Sequence, residues 1–521
     1  MSNDRQLEGP SVPKRESREH FKTDHLHGDL GGRTVRGGVI TMTSHGLKFI
    51  ITLAATIVMA RLLTPEDYGL IGMVMVFTNY MTMFKDMGLS LATVQRPEIS
   101  SEQISTLFWL NVILSLGITI LAVVMAPGIA LFYSEPRLVS LTIVIALGFI
   151  LGGLSVQHEA LLKRQMRFGA LAAISIVALV VAYVVGITAA WRGAGYWAIV
   201  ASQLSLIGTS TLATWIVSGW VPGRPRRNTG VRPMLTFGRN ITAYATINVL
   251  AKNFDTLMLG RSWGAQNLGL YQKAQLLLSI PADQTNEPFN SVSIPALSRL
   301  ADSPERYREA FLRILEKVAL LTMPSIALML ATSDWLVYLL LGPQWTATGR
   351  ILLIIAIAGL FQPIINATSW LFVTQGRTYH MFQWAIIYAP LSVISVLSGL
   401  KWGPLGVAIS YTIGRLCVID HLLYWFAGRT GPVRTIDFYR TMAPIAVASV
   451  LGAGVALLFR WATDIQNPVL GCAICSVIVL TITVSTLYLI PAGRRALGDF
   501  RSVFRLLTGK SEVPVTQAES L

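Results

Sequence analysis

The sequence predicts an all-α protein that crosses a membrane many times. Of its 521 residues, 53% are hydrophobic and only 13% are charged, whereas about 25% of the residues of an average soluble chain are charged. Apolar runs such as 138–156 and 469–490 are long enough to cross a hydrocarbon layer roughly 30 Å thick. So few charges could not cover the three or four soluble domains that the length alone would suggest, which excludes that organisation.

Hydropathy and turn-forming residues predict about fourteen transmembrane helices. We number these spans in chain order and place them at 37–60, 68–92, 105–132, 138–156, 169–190, 194–219, 234–260, 266–292, 314–341, 350–375, 379–400, 404–427, 440–461 and 469–490. The segment before the first span is polar and has no apolar core, so we do not interpret it as a signal peptide.

An internal repeat divides the spans into two six-helix lobes and a terminal helix pair. When the chain is slid over itself by 200 residues, identical residues coincide at the same kind of turn: Thr56, Arg61, Gly69 and Leu70 overlie Thr256, Arg261, Gly269 and Leu270. Because an even number of spans separates the copies, the lobes are predicted to be parallel repeats. The predicted organisation is a cytoplasmic polar tail at 1–36, an N-terminal lobe at 37–219, a basic cytoplasmic linker at 220–233, a C-terminal lobe at 234–427, helices 13 and 14 within 440–490, and a cytoplasmic tail at 491–521.

The distribution of basic residues predicts that both termini lie in the cytoplasm. Cytoplasmic loops retain positive charge during insertion, and the predicted cytoplasmic segments contain 29 of the 42 lysines and arginines, against 7 in the outer connections. The tryptophans that fall at or near the outer connections fit the same orientation: Trp191, Trp263, Trp335, Trp345, Trp402 and Trp461. The net charge of +15 is then explained by topology and by attraction to anionic membrane lipids. A nucleic-acid partner is not indicated.

Polar residues follow one face of several predicted spans. In span one they are Thr41, His45, Lys48, Thr52 and Thr56; in span seven Tyr244, Asn248, Lys252 and Asp255; and in span eight Gln272, Gln275, Ser279, Asp283, Asn286 and Asn290. Steps of three and four residues place each set on one side of a helix. Polar stripes on the first helices of both lobes predict a water-filled cavity between the lobes, although hydrogen bonding between tightly packed helices would also produce them.

Ionisable residues inside the spans are costly and usually face a cavity or a partner. The cations are Lys48, Lys85, Arg239, Lys252, Lys273 and Arg415, and the anions are Asp86, Asp255, Asp283, Glu287 and Asp420. Lys85 and Arg239 lie near predicted cytoplasmic ends, where long side chains can reach the headgroups. Lys252 and Asp255, three residues apart, can pair with each other.

Charge, depth and spacing together select the candidate site. The predicted substrate-binding residues are Lys48, Lys252, Lys273, Arg415, His45, Thr52, Asn248, Gln272 and Gln275, and the candidates for ion coupling are Asp255, Asp283, Glu287 and Asp420. Cations attract phosphate or uronate groups, and amides and hydroxyls can exchange hydrogen bonds with sugar hydroxyls. The chemistry therefore favours an anionic glycan headgroup over an apolar drug.

Motifs for catalysis or for other energy sources are absent from the sequence. There is no H-E-x-x-H motif, no paired-carboxylate outer loop and no cluster of metal ligands. The stretch ending Gly509-Lys510-Ser511 lacks a P-loop's first glycine, because Phe504 stands there. The three cysteines lie in apolar runs and indicate no disulfide framework. We therefore predict a transporter with no catalytic residues, no cofactor and no metal site.

Several stretches together carry a family resemblance. They are ARLLTPEDYG at 60–69, KDMGLS at 85–90, QISTLFWLN at 103–111, GYWA at 195–198, NFDTLMLGR at 253–261, LGLY at 268–271 and 289–300, which ends PALSRL. With these stretches the chain resembles a bacterial polysaccharide flippase of the multidrug, oligosaccharidyl-lipid and polysaccharide exporter superfamily, in particular the colanic-acid and exopolysaccharide type of lipopolysaccharide-biosynthesis exporter. The similarity covers about residues 37–430.

The resemblance implies two six-helix lobes that alternate access between the two faces of the bacterial inner membrane. It also implies a cationic central cavity that translocates an undecaprenyl-diphosphate-linked oligosaccharide repeat unit for exopolysaccharide or lipopolysaccharide assembly. A polysaccharide polymerase and a chain-length regulator are candidate partners. Two alternatives stay open: a cation-coupled multidrug exporter of the same superfamily, and a membrane polysaccharide polymerase or polyprenol-dependent glycosyltransferase. The latter enzymes usually need a sizeable outer loop, and the predicted outer connections are short.

Overall fold

The protein is built from α-helices. The computed structural model describes residues 30–86, 89–95, 99–225, 253–463, 465–491 and 493–498, and within these ranges the regular structure consists of helices and turns. The chain divides into two compact units, Met1–Leu250 and Ala251–Leu521, which we call unit 1 and unit 2. The predicted all-α fold class is confirmed.

Unit 1 contains seven described helices. They are α1 (Leu30–Leu62), α2 (Pro65–Asp86), α3 (Leu89–Gln95), α4 (Ser101–Tyr133), α5 (Arg137–Arg164), α6 (Phe168–Trp191) and α7 (Tyr196–Ser218). Helix α4 begins with a capping box in which the side chains of Ser100 and Gln103 each accept a hydrogen bond from the other's backbone N–H. It ends at Ser134, whose left-handed backbone (φ 57°) turns the chain towards α5.

A fully buried polar network joins three helices of unit 1. The Thr93 hydroxyl donates to Oε1 of Gln157 over 2.8 Å, and Nε2 of Gln157 donates to Oδ1 of Asn111, also over 2.8 Å. All three side chains have no exposed surface. Because these buried polar groups are hydrogen-bonded to one another, the bonds offset the cost of removing the groups from water, and the network joins α3, α4 and α5.

The helices of unit 2 are less regular, and their lengths range from 9 to 46 residues. They are α8 (Phe254–Arg299), α9 (Pro304–Leu341), α10 (Thr346–Gly359), α11 (Gln362–Thr374), α12 (Thr378–Gly399), α13 (Gly403–Gly414), α14 (Asp420–Gly428), α15 (Thr435–Ala462) and α16 (Pro468–Leu489). Short 3-10 turns precede α10 and α13, and a π-helical segment, Arg415–Ile419, joins α13 to α14.

Four breaks interrupt the described helices of unit 2, one of them a kink in α9 at Thr332 (φ −126°, ψ 17°). Helix α8 is broken at Gly264 (φ 75°, ψ 180°), a conformation that glycine adopts without a Cβ penalty. Helices α10 and α11 meet at a bend of 47°, and the π-helical segment interrupts predicted span twelve. The break at Gly264 coincides with the predicted turn between spans seven and eight.

The interior of unit 2 is organised around α9. Its buried residues, such as Phe311 and Met323, belong to one apolar cluster with residues of α10, α11, α14, α15 and α16. At the other end of α9, Arg460 of α15 forms an ion pair of 2.8 Å with Asp334 and lies 3.7 Å over the ring of Trp335. The helix pair that the sequence places last in the chain is therefore an integral part of unit 2.

Small residues allow neighbouring helices to approach closely, which matters in a membrane because lipid tails give helices little hydrophobic reason to associate. Gly153 of α5 faces Ser115 of α4, and a side chain at Gly153 would collide with it. In unit 2, Gly399 of α12 and Gly406 of α13 lie against each other's backbone. Helices α12 and α13 thus pack as a tight hairpin.

Nine helices in the described part of the chain are long and apolar enough to cross a membrane, or up to ten if the bent pair of α10 and α11 forms one span. A multi-pass membrane protein is confirmed. Residues 379–428 are counted as one of these nine, although this stretch contains the hairpin of α12 and α13. Much of predicted span seven lies outside the described residues. Helices α2 and α8 are not among the nine, so the number fourteen and the lobe arrangement stay predictions.

Candidate functional site

A polar pocket of about 260 Å³ lies among α1, α5, α6 and α7 of unit 1. Charged groups, hydroxyls and apolar groups share its lining: Ser44, His45, Lys48, Glu159, Lys163, Phe168, Leu171, Ala172, Ile174, Ser175, Ser210 and Thr214. Of the predicted substrate-binding residues, the pocket brings together His45 and Lys48. Thr52, one turn further along α1, is half-buried and is not part of the lining.

The charges of this pocket do not balance. Glu159 and Lys163 form an i,i+4 ion pair of 2.8 Å on α5, so their charges largely cancel. Lys48 makes no ion pair with any residue in the described ranges, and it leaves the pocket with one surplus positive charge. Hydroxyls of Ser44 and Ser210 also line the wall. Such a site can attract an anion and exchange hydrogen bonds with its oxygens.

In unit 2, the carboxylate of Asp255 is surrounded by hydrogen-bond donors. Its Oδ2 accepts from the Tyr271 hydroxyl at 2.9 Å and from Nε2 of Gln275 at 3.4 Å, and its Oδ1 accepts from the Thr256 amide at 2.7 Å. The Gln275 side chain also donates to the Tyr271 hydroxyl at 2.9 Å. The break at Gly264 makes these contacts possible, because it lets the second part of α8 lie beside the first.

A second cluster in unit 2 pairs two predicted site residues of opposite charge. Nε and Nη2 of Arg415 lie 3.3 Å from Oδ1 and Oδ2 of Asp420, and both side chains are buried. Nη1 of Arg415 donates to Oε1 of Gln362 at 3.3 Å, and Nε2 of Gln362 donates to Oδ1 of Asn366 at 3.3 Å. The guanidinium charge is therefore neutralised in this conformation.

Lys273 lies apart from the polar stripe of α8. Its side chain is buried, and its ammonium group lies 5.8 Å from the ring centre of the fully buried Trp345. Each residue turns an α-helix by about 100°. Lys273 is two residues before Gln275, so the two side chains leave nearly opposite sides of α8. Gln272 is half-buried and Asp283 is exposed.

Three predicted site residues cannot be placed. Asn248 and Lys252, together with the side chain of Glu287, lie outside the described residues. Within the described ranges, no group of three or more His, Cys, Asp or Glu residues could hold a metal ion.

Sequence reasoning missed several residues at these sites. Glu159 and Lys163 lie beyond the predicted end of span four, at 156, whereas α5 continues to Arg164. Their i,i+4 spacing of opposite charges is a signal of a continuing helix. Tyr271 and Gln362 carry no charge, and their hydrogen bonds to charged partners depend on breaks in the helices that the residue pattern does not specify.

Comparison with known proteins identifies the family. A family model described as "Polysaccharide biosynthesis protein" matches residues 58–349, which is more than half of the chain. The chain belongs to the polysaccharide biosynthesis family. The resemblance noted in the sequence is thereby confirmed.

Proteins with similar sequences come from several bacteria. The teichuronic acid biosynthesis protein TuaB of Bacillus subtilis is 25% identical over 72% of this chain and 78% of its own length. The lipopolysaccharide biosynthesis protein WzxC of Escherichia coli is 25% identical over 76% of this chain and 81% of its own. The succinoglycan biosynthesis transport protein ExoT of Rhizobium meliloti is 24% identical over 87% and 92%.

Solved structures confirm the kind of fold for this member of the polysaccharide biosynthesis family. The lipid II flippase MurJ in an inward closed conformation superimposes with a TM-score of 0.68, at 15% identity, over 86% of this chain and 97% of MurJ. An inward-facing multidrug resistance MATE transporter of the MOP superfamily gives a TM-score of 0.58, at 15% identity, over 76% and 96%. At this identity the likeness concerns the fold alone.

Proposed function

We propose that this protein is a flippase that moves an undecaprenyl-diphosphate-linked oligosaccharide repeat unit across the bacterial inner membrane for exopolysaccharide or lipopolysaccharide assembly. The match to the polysaccharide biosynthesis family over 58–349 carries the proposal. Two observations support it: one relative is named as a succinoglycan biosynthesis transport protein, and the fold is like that of a lipid II flippase. These are transport proteins, and the chain is accordingly a transporter and not an enzyme.

The polar groups of the membrane helices supply the chemistry that such a substrate needs. A diphosphate and its sugars lose their hydration when they enter hydrocarbon, and protein groups have to replace the lost water contacts. In our proposal Lys48, Lys252, Lys273 and Arg415 bind the anionic diphosphate. The sugar hydroxyls bind to His45, Thr52, Asn248, Gln272 and Gln275, and the carboxylates for ion coupling are Asp255, Asp283, Glu287 and Asp420.

The proposed architecture has fourteen helices, arranged as two parallel six-helix lobes followed by a helix pair, with both termini in the cytoplasm. The two lobes would rock to expose a cationic central cavity to one membrane face and then to the other, while the lipid tail stays in the bilayer. The distribution of lysine and arginine along the sequence supports this orientation. A polysaccharide polymerase and a chain-length regulator are the proposed partners.

A second candidate function is cation-coupled multidrug export. The specific observation in its favour is the likeness to a multidrug resistance transporter, with a TM-score of 0.58. The two functions make opposite predictions for a deletion strain. A flippase deletion abolishes the surface polysaccharide and leaves drug susceptibility unchanged, whereas an exporter deletion alters drug susceptibility and leaves the polysaccharide intact.

A vesicle assay tests the function and the site together. The purified chain is reconstituted with a short-chain polyprenyl-diphosphate oligosaccharide, and a glycosidase outside the vesicles reports how much substrate reaches the outer leaflet. We compare the parent with Lys48, Lys273 and Arg415 changed together to Ala, and with Lys401→Gln, which removes a cation from the exposed turn before α13. We expect transport in the parent and the control and loss in the triple variant. No transport by the parent would reject the function, and unchanged transport by the triple variant would reject the site.

A further inference from the structure

The π-helical segment Arg415–Ile419 brings together two charges that a regular helix would separate. In an α-helix, residues five apart point about 140° away from each other. In a π-helical turn, hydrogen bonds run from i to i+5, which brings such residues to the same side. Asp420 is five residues after Arg415, and its carboxylate lies against the guanidinium. The local register of the helix and the ion pair therefore depend on each other.

The ion pair also reaches the neighbouring broken helix. Arg415 donates to Gln362, the first residue of α11, which directly follows the 47° bend between α10 and α11. The pair thus joins two of the irregular regions of unit 2, the π-helical segment and the bend between α10 and α11. Both side chains are buried, so neither charge can be left alone at low cost. If Arg415 leaves Asp420, the carboxylate has to gain another cation or a proton.

Several polar groups surround Asp420 and connect it to a more exposed flank. Tyr388 and Tyr411 face Arg415 from α12 and α13, while His421 and Tyr424 of α14 and Tyr439 of α15 lie close enough to act on the charge of Asp420. His421 is exposed, and its Nδ1 lies 2.7 Å from the Tyr439 hydroxyl. The Tyr424 hydroxyl is buried and makes no hydrogen bond to a described residue.

Building on the proposed transport of a diphosphate-linked substrate, we propose that Arg415 exchanges Asp420 for a phosphate oxygen of the substrate while Asp420 takes up one proton. Before the exchange, the guanidinium neutralises the carboxylate. Afterwards it neutralises the phosphate, and Asp420 is a neutral carboxylic acid. One O–H bond forms on Asp420 as one O–H bond of a hydronium ion in the surrounding water breaks, and no bond of the substrate breaks. The ligand class is a diphosphate diester, and the coupled ion is a proton.

The exchange makes binding and protonation reciprocal. A proton on Asp420 releases Arg415 for the ligand, and a ligand on Arg415 promotes protonation of Asp420, by the same coupling free energy. If one proton enters with each ligand, the affinity rises by up to about tenfold for each pH unit of acidification. The exchange also removes the contact that accompanies the π-helical register, so the segment next to the bend becomes free to change.

Isothermal titration calorimetry counts the protons directly. The purified full chain is titrated with dimethyl diphosphate, esterified once on each phosphorus, which has no proton that titrates near neutral pH. Titrations in two buffers with different ionisation enthalpies give the number of protons taken up. We expect about one proton for the parent and none for Asp420→Asn, with tighter binding by this variant at mildly alkaline pH. The double variant Arg415→Gln with Asp420→Asn removes both charges of the pair and so leaves no unpaired buried charge. It should lose binding.

Asp437→Asn is the matched control, because Asp437 is the buried carboxylate of another arginine pair in unit 2, with Arg308. It should take up protons like the parent. No binding by the parent, binding without proton uptake, or uptake that survives in Asp420→Asn would each overturn the inference. If the proposed function is right, the parent would still transport the lipid-linked oligosaccharide in vesicles in each of those cases. The vesicle assay thus distinguishes a failure of the proposed exchange from a failure of the proposed function.

Discussion

The carboxylate of Asp255 accepts a hydrogen bond of 2.9 Å from the hydroxyl of Tyr271, although sixteen residues separate them along the chain. An unbroken α-helix of that length would place the two about 24 Å apart. The contact exists because α8 is interrupted at Gly264. It holds the two parts of α8 together at a carboxylate that we propose for ion coupling.

Removing this hydrogen bond should destabilise unit 2. We expect Tyr271→Phe to lower the free energy of unfolding by about 1–3 kcal/mol, because the half-buried carboxyl group of Asp255 loses its nearest side-chain donor. Denaturation in mixed detergent micelles measures the loss. Tyr388→Phe is the matched control, since the Tyr388 hydroxyl lies 3.3 Å from another hydroxyl, that of Tyr411, and its removal should cost less than about 1 kcal/mol. Equal losses in the two variants would contradict this interpretation.

Gly264 should tolerate substitution poorly for a backbone reason. Its φ of 75° and ψ of 180° belong to a region essentially restricted to glycine, so Gly264→Ala should cost about 1–3 kcal/mol of unfolding free energy. No atom lies within 4 Å of a Cβ added there, so a steric clash would not explain the loss. Gly117→Ala in α4 is equally free of contacts but helical, and it should stabilise by about 0.5–1 kcal/mol. The same denaturation assay in mixed detergent micelles compares both variants, and an unchanged free energy of unfolding for Gly264→Ala would contradict this interpretation.

The sequence was sufficient for features that depend on local composition. The run 138–156 lies in α5, and the run 469–490 lies in α16 except for its last residue, because an apolar stretch of that length in a membrane has to satisfy its backbone hydrogen bonds internally. The turn near Gly264 was also predicted, since the apolar pattern is interrupted there. These are properties of single segments, and hydropathy detects them.

Contacts between segments could not be predicted in the same way. In a regular α-helix, the side chain of Asp420 would point away from that of Arg415. The π-helical segment brings the two side chains together, and its formation depends on how the helix packs. The residue pattern predicts that Lys273 lines a cavity, whereas its contact with Trp345 depends on a turn more than 70 residues away. The pattern identified which residues are chemically unusual, while tertiary packing determines which of them meet.

Acidification should weaken the turn between α4 and α5. Arg137 donates a hydrogen bond to the Glu135 carboxylate and lowers the pKa of Glu135 below its ordinary value. A carboxylate with a depressed pKa in the folded state stabilises the fold above the pKa of the unfolded state, about 4.3 for glutamate, and this contribution disappears as the pH falls through the folded-state pKa. The melting temperature of the parent should therefore fall with acidification in this range.

Glu135→Gln should remove part of that pH dependence, because it leaves no group to titrate. The effect should be small, since the pair is partly exposed to solvent and therefore screened. Glu305→Gln, at the exposed start of α9, serves as the control and should melt with the same pH profile as the parent. If both variants behave alike, the hydrogen bond between Glu135 and Arg137 contributes nothing measurable.

The pocket of unit 1 should respond to charge changes in opposite directions. Lys48 provides its surplus positive charge, so Lys48→Gln should weaken binding of a diphosphate diester by about tenfold, equivalent to about 1.4 kcal/mol. Glu159→Gln leaves Lys163 without its 2.8 Å partner and adds one net positive charge to the same wall, so it should tighten binding. Calorimetry at low ionic strength measures both changes, and added salt should reduce them.

The opposite signs separate a binding pocket from a structural one. If Lys48 and Glu159 only maintained helix packing, both substitutions would disturb the same wall and would change binding in the same direction. Lys163→Gln distinguishes charge from geometry further. It disrupts the same ion pair as Glu159→Gln but removes a positive charge, so it should weaken binding where Glu159→Gln strengthens it. A pocket that follows net charge through all three variants binds an anion, because packing defects have no reason to follow the sign of the charge that is removed.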